Sequence, residues 1–193
     1  MAETREEEMA QLDPKNEVER RVAYMPIRNN QASGPGAGRW REWLAHPGSA
    51  VVVARKEGRV CLIRQWRAAI SQQILELPAG LIDRGEEPLA AAKRELREET
   101  GLSGGRWHSL LSSYTTPGYS DELQHFFLSD EPALGSQDLD SGEELEVEWF
   151  TVEEINELLR DGAICDGKTI QGLAMIGCLD FGPGARGGDS RSD

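Results

Sequence analysis

The sequence between Gly80 and Leu102, GLIDRGEEPLAAAKRELREETGL, constrains the fold more than any other stretch of this chain. Proline is favoured in the first turn of a helix and glycine just beyond the last turn. Pro88 and Gly101 therefore predict a helix from Pro88 to Thr100. Its apolar stripe consists of Leu89, Ala92 and Leu96. We expect this stripe to pack against a core.

Three glutamates, Glu95, Glu98 and Glu99, lie beside the apolar stripe. Their side chains are neighbours on the helix, and each like-charged pair costs about 0.2–0.5 kcal/mol. Mg²⁺ would offset this repulsion because it binds carboxylate oxygens, and the glycines of the preceding loop let backbone carbonyls approach a ligand closely. The alternative interpretation is a solvated acidic face.

The charge of the chain restricts its partners. It carries 34 acidic and 21 basic residues, a net charge of −13, so binding to nucleic acid is disfavoured. No apolar run is long enough to cross a membrane, and the acidic N-terminus lacks the pattern of a secretory signal. Cys61, Cys165 and Cys178 have neither disulfide-framework nor zinc-site spacing. We expect a cytoplasmic protein.

The length of 193 residues fits one domain with disordered ends. Residues 1–17 are acidic and residues 182–193 are rich in Gly, Ser and Asp, which predicts two disordered tails. We expect an N-terminal strand segment over residues 18–45 and the main domain over residues 46–181.

Apolar runs separated by turn signals predict an α+β fold in which helices cover a mixed sheet. Strands are expected at RRVAYMPIR, WREWLA, SAVVVAR, RVCLIRQWR, QQILELPAG, WHSLLSSYTT, DELQHFFLSD and EELEVEWFTV. The sequence KEG indicates a hairpin between SAVVVAR and RVCLIRQWR, and NNQASGPGAGR indicates a loop. Further helices should begin near Val152 and Lys168.

The Gly80 to Leu102 segment also satisfies the pattern G-x5-E-x7-R-E-U-x-E-E-x-G-U, where U is a bulky aliphatic residue. The matching residues are Gly80, Glu86, Arg94, Glu95, Leu96, Glu98, Glu99, Gly101 and Leu102. This pattern resembles the Nudix box at every position. The resemblance implies an α/β/α sandwich and Mg²⁺-dependent hydrolysis of a nucleoside diphosphate linked to another group, with Mn²⁺ as a substitute.

The resemblance also implies roles for individual residues. Metal-ligand positions are matched by the backbone carbonyl of Ala79 and the side chains of Glu95, Glu98 and Glu99, of which Glu98 is also a catalytic candidate. Structural positions of the box are matched by Gly80, Glu86, Arg94 and Gly101, with Glu86 and Arg94 holding the loop against the helix.

Flanking sequences resemble the ADP-ribose pyrophosphatase subgroup of the Nudix hydrolases over roughly residues 46–175. They are HPGSAVVVA, RQWR, LELPAG, TTPGYSDE and DGKTIQGL, and Pro117 is the most specific mark. Substrate-binding positions of the subgroup are matched by Arg67, Trp66, Gly118, Tyr119 and Glu122. The alternatives are a surface position for Arg67, packing for Trp66 and a plain hairpin turn for PGYSDE.

A general base is expected in the acidic stretch between Asp130 and Glu148, where the subgroup carries a glutamate on a mobile loop. Glu143 is the best match by register, followed by Glu144, and then by Glu146 because alternation places it within a strand. A solvated acidic loop is the alternative interpretation.

The resemblance implies cleavage of ADP-ribose to AMP and ribose 5-phosphate by a homodimer that exchanges N-terminal strands. The glycine-rich NNQASGPGAGR and the RAAISQQ sequence depart from the subgroup pattern. Alternative substrates are UDP-glucose, GDP-mannose and NADH. A Nudix module that binds ADP-ribose without cleaving it is a further alternative, although such a module would be expected to lack box carboxylates that are all present in this sequence.

Overall fold

The structure, a computed structural model, describes residues 21–22, 25–31, 40–135 and 145–180. Both predicted tails, most of the NNQASGPGAGR loop, Glu143 and Glu144 lie outside these residues. Contacts divide the chain into two compact units. One contains the N-terminal residues up to His46 together with residues 116–121, and the other contains the rest.

The first unit contains an antiparallel sheet of three strands, β1 (Arg21–Val22), β2 (Met25–Gln31) and β3 (Trp40–Leu44). RRVAYMPIR is therefore not the single strand that we expected. Val22 pairs with Met25, so the chain reverses between them. The sequence has no Gly, Asn or Asp to mark this reversal, which explains the error.

The second unit is built on a mixed sheet of seven strands. They are β4 (Ser49–Lys56), β5 (Arg59–Arg67), β6 (Gln72–Glu76), β7 (Ala79–Leu81), β9 (Arg106–Tyr114), β10 (Leu123–Asp130) and β12 (Glu146–Phe150). The order is β12-β5-β4-β10-β9, with β6 on β5 and β7 on β4. The β4–β10 pair is parallel. Glu57 and Gly58, both with positive φ, form the predicted hairpin turn between β4 and β5.

The QQILELPAG sequence forms two strands, where a single one was expected. Strand β6 pairs with β5, whereas β7 pairs with β4. Pro78 lies between them and has no N–H to donate to a sheet, while its carbonyl accepts from the Val52 N–H at 2.9 Å. The change of partner strand places Ala79 and Gly80 beside the predicted helix from Pro88 to Thr100. Two short paired strands, β8 (Leu102–Ser103) and β11 (Ala133–Leu134), were not predicted from the sequence.

The described residues include the helices α1 (Pro88–Thr100), α2 (Val152–Arg160) and α3 (Gly167–Met175), as the sequence predicts. Gly101 ends α1 in the left-handed conformation, and Thr151 and Glu154 form a capping box at α2. No helix in the described ranges has both the length and the apolar character needed to cross a membrane.

Alternate residues of the central strands supply two cores on opposite faces of the sheet. On one face Val52, Cys61 and Phe127 pack with Ala92 and Leu96 of α1. On the other face the core contains Val51, Val53, Leu75, Phe126, Ile155 of α2 and Leu173 of α3. The predicted α/β/α sandwich with a mixed sheet is confirmed. In it, α1 packs against β4 and β7.

Candidate active site

The close approach of β7 to α1 depends on a glycine. A methyl group built on Gly80 would overlap the carboxylate of Glu95. Only a residue without a side chain leaves room for that carboxylate beside the backbone. The sequence thus brings Glu95 directly against the loop that precedes the helix.

Glu99 is 5% exposed and accepts a hydrogen bond from the Ala79 N–H at 2.9 Å. Its carboxylate is therefore held between the helix and β7. Burial and the nearby charge of Glu99 raise the pKa of Cys61 to about 12, so this thiol stays neutral behind the site. The structure brings together Ala79, Gly80, Glu95 and Glu99, four residues that the sequence proposed.

Arg94 lies among three carboxylates, a group that we call the Arg94 cluster: Arg94, Glu86, Glu95 and Glu98. Its guanidinium donates two hydrogen bonds to Glu86, at 3.1 and 3.0 Å, one to Glu95 at 2.6 Å and one to Glu98 at 3.1 Å. A fourth partner is the Leu81 carbonyl at 2.9 Å. Arg94 thus ties the loop to the helix, and the cluster keeps an excess of negative charge.

A second charged group was not predicted from the sequence, and we call it the Glu76 cluster: Glu76, Arg67, Asp166 and Lys168. Glu76 is 1% exposed and accepts from Arg67 through both oxygens, at 2.5 and 2.6 Å, and also from Lys168. Asp166 caps α3 and accepts from Lys168 at 2.9 Å. The available signal was a charged residue inside the apolar sequence ILEL, because a buried carboxylate requires partners.

Burial acts to raise the pKa of Asp166, but the charge of Lys168 and the hydrogen bonds from Thr169 and Lys168 outweigh it and lower that pKa. The hydrogen bonds that Arg67 donates to Glu76 come first among the causes that raise the pKa of Arg67. Arg67, expected to touch the substrate, is therefore held in place by its hydrogen bonds to Glu76. The prediction of substrate contact remains a prediction.

Glu122 lies just before β10 and is held by hydroxyl and amide donors. It accepts from Ser49 and Thr115, both at 2.9 Å, and from the Gln124 amide at 3.3 Å. These contacts fix the position of the carboxylate that we predicted to support the substrate.

Gly118 and Tyr119 belong to the other compact unit, in which residues 116–121 are joined to β3. The Leu44 N–H donates to the Tyr119 carbonyl at 2.7 Å, and the Trp43 indole donates to Asp121 at 3.0 Å. The Tyr119 side chain is 63% exposed. The PGYSDE sequence is thus a turn tied to β3, whereas a plain hairpin between β9 and β10 would have no such partner.

Two further site predictions fall on described strands. Trp66 in β5 is 58% exposed and is therefore not a core residue. Glu146 begins β12 and lies 3.9 Å from the Arg64 guanidinium. Its preferred rivals as general base, Glu143 and Glu144, lie outside the described residues.

Comparison with known proteins adds to this geometry. Residues 44–173 match the NUDIX domain family. The chain belongs to the Nudix hydrolases. Its α1 is the Nudix-box helix. Glu95, which lies against Gly80, and Glu99, which is bonded to Ala79, match positions of that box.

Among curated Nudix relatives, an ADP-ribose pyrophosphatase of Bacillus subtilis (strain 168) is 36% identical over 139 residues, 70% of this chain and 75% of that protein. A GDP-mannose pyrophosphatase of Escherichia coli O1:K1 / APEC is 36% identical over 126 residues, 60% of this chain and 64% of that protein. A crystal structure described as an ADP compounds hydrolase has a TM-score of 0.71 at 21% identity. It covers 81% of this chain and 86% of its own, which supports the same fold.

The Nudix family typically uses a divalent metal, and the donors here suit one. Glu95, Glu98 and Glu99 offer hard carboxylate oxygens beside the backbone of Ala79, which is the chemistry that Mg²⁺ prefers. Among the described residues no group of three such side chains converges as a ready-made cage, and Arg94 pairs with Glu95 and Glu98.

Proposed function

We propose that this Nudix hydrolase cleaves the pyrophosphate bond of ADP-ribose, giving AMP and ribose 5-phosphate. The observation that carries the proposal is the contact of the Glu95 carboxylate with Gly80, beside Glu99 bound to the Ala79 N–H. A group of partly buried carboxylates of this kind repels a diphosphate unless cations intervene. Catalysis of phosphate chemistry beside these carboxylates is therefore expected to need divalent ions.

In the proposed mechanism Glu95, Glu98, Glu99 and the Ala79 carbonyl would hold Mg²⁺. When bound, the metal would offset the negative charge that develops on the diphosphate in the transition state. Arg67 would orient the phosphates, since its position is fixed by two hydrogen bonds to Glu76. Glu143 would accept a proton from the attacking water.

The substrate assignment is supported by relatives and by sequence together. The Bacillus subtilis ADP-ribose pyrophosphatase aligns with 70% of this chain, against 60% for the Escherichia coli GDP-mannose pyrophosphatase at equal identity. The PGYSDE turn with Pro117 adds the subgroup mark. GDP-mannose is the second candidate substrate because of that relative.

The decisive experiment incubates the purified protein and Mg²⁺ with a panel of compounds and separates the products by chromatography. The panel holds ADP-ribose, GDP-mannose, UDP-glucose, NADH and a nucleoside triphosphate. We expect AMP release from ADP-ribose to be the fastest reaction. Faster hydrolysis of GDP-mannose would replace the proposed substrate, and binding of ADP-ribose without any product would indicate a non-catalytic module.

The same assay tests the metal site with a matched pair of variants, one within α1 and one at its N-cap. Glu99→Gln keeps an oxygen for the Ala79 N–H but removes the charge, and we expect at least a ~100-fold loss of turnover. Glu87→Gln removes an exposed carboxylate that makes no capping hydrogen bond, and its turnover should equal that of the wild type. Unchanged turnover in Glu99→Gln would contradict the metal assignment.

A further inference from the structure

A cavity of about 650 Å³ opens beside the C-terminal half of α1, and Arg94 is the one residue of the Arg94 cluster in its lining. Its lining includes Lys93, Arg94 and Arg97 from the helix and Trp107 from β9. Lys93 and Arg97 are one turn apart and project from the same side of the helix. Glu95 is about 200° around the helix axis from Lys93, so the two sites occupy different sides of α1.

The opposite wall of the cavity is fixed by hydrogen bonds. The Trp107 indole N–H donates to the Gly104 carbonyl at 2.8 Å, and Ser129 donates to the same carbonyl at 3.3 Å. Gly105, with φ +75°, packs so closely that a methyl group there would meet the Asp130 carbonyl. The indole therefore has a set orientation at the mouth of the cavity.

The cavity is lined by three basic side chains and by no acidic residue, although the chain is strongly acidic. Arg94 is committed to its carboxylate cluster, and Arg97 uses one nitrogen for Glu98 at 3.1 Å. Within the described ranges Lys93 makes no ion pair, and its ammonium lies 5.8 Å from the centre of the Trp107 ring. Two cationic groups beside an indole are thus available to a ligand.

We propose that this cavity is a second ligand site that binds a small aromatic phosphomonoester, such as a nucleoside 5′-monophosphate. Lys93 and Arg97 would bind the phosphate, and the aromatic ring would contact Trp107. Charged hydrogen bonds to phosphate and stacking on an indole supply the two kinds of recognition. The volume lies within the range of about 300–1,000 Å³ that is usual for small-molecule sites.

The test measures binding of AMP by calorimetry with the full chain, in chelator and without divalent ions. AMP is also the product of the proposed reaction, so the variants below separate binding in this cavity from binding in the active site. We expect saturable binding that weakens at least tenfold in a Lys93→Ala/Arg97→Ala variant. A Lys56→Ala/Arg160→Ala variant, with the same change of charge at residues outside the cavity, should bind like the wild type.

Further binding measurements test the phosphate and the aromatic ring of the ligand separately. Inorganic phosphate and adenosine should each bind more weakly than AMP, and Trp107→Leu should abolish the preference for AMP over phosphate. Equal AMP binding by the wild type and the Lys93→Ala/Arg97→Ala variant would overturn the site. Retention of the AMP preference in Trp107→Leu would overturn the aromatic contact, and unchanged circular dichroism would exclude unfolding as the cause of a loss.

Discussion

The Arg94 cluster and the Glu76 cluster have different balances of charge. In the Arg94 cluster one guanidinium serves three carboxylates, whereas in the Glu76 cluster two cations serve two carboxylates. The first group is partly exposed and the second surrounds a fully buried carboxylate. A balanced, buried cluster needs no further ion. The excess of carboxylates beside Gly80 can bind a cation.

This difference separates a cluster whose loss should cost mainly stability from one whose loss should cost mainly activity, although Arg67 of the Glu76 cluster is also proposed to orient the phosphates. Removing a charge from the Glu76 cluster leaves buried ions without partners, and that cost falls on folding. Disturbing the Arg94 cluster leaves groups that water can reach, so the main cost should fall on catalysis. Each of the following variants tests one side of that separation.

The largest effect on stability is expected for Glu76→Gln. It leaves Arg67 and Lys168 without their shared carboxylate, and we expect the free energy of unfolding to fall by about 3 kcal/mol. Urea denaturation measures this loss. The matched control is Glu148→Gln, which breaks a half-exposed pair with Arg64 and should cost less than about 1 kcal/mol. An equal fall in the free energy of unfolding in the two variants would show that burial does not make the loss of the Glu76 charge more costly.

The two clusters also differ in how far the sequence could predict them. The Arg94 cluster comes from one continuous segment, in which Pro88 and Gly101 mark the helix and residue spacing sets the face of each glutamate. The Glu76 cluster joins β5, β6 and the start of α3, residues 92 positions apart along the chain. The local pattern indicates that Glu76 needs partners, but it does not indicate which residues supply them. The same limit explains the missed reversal between Val22 and Met25 and the transfer of β7 to β4.

The next effect should appear in turnover. Gly80→Ala places a methyl group on the Glu95 carboxylate and forces that side chain to move, so we expect at least a tenfold loss of hydrolysis, about 1.4 kcal/mol. Stability should change little because the displaced atoms are the end of a flexible side chain. Gly167→Ala is the control, since a methyl group there meets no atom within 4 Å. Full activity in Gly80→Ala would separate Glu95 from catalysis.

The smallest effect concerns Glu86, whose pair with Arg94 is partly exposed and should be worth less than about 1 kcal/mol. The hydrogen bonds from Arg94, with one from the Asp83 N–H, hold the pKa of Glu86 below its ordinary value. The folded state therefore binds a proton less readily than the unfolded state, where the pKa is about 4.3.

The contribution of Glu86 should consequently be complete above that unfolded value and disappear as the pH falls through the lowered folded pKa. We expect the difference in unfolding free energy between the wild type and Glu86→Gln to shrink between pH 5 and pH 3 in urea titrations. For Glu87→Gln, a change of equal charge at the neighbouring exposed carboxylate, the difference in unfolding free energy from the wild type should stay constant over this pH range. A difference for Glu86→Gln that stays constant over this range would mean that its carboxylate is not stabilised by Arg94, and the loop would need another attachment to the helix.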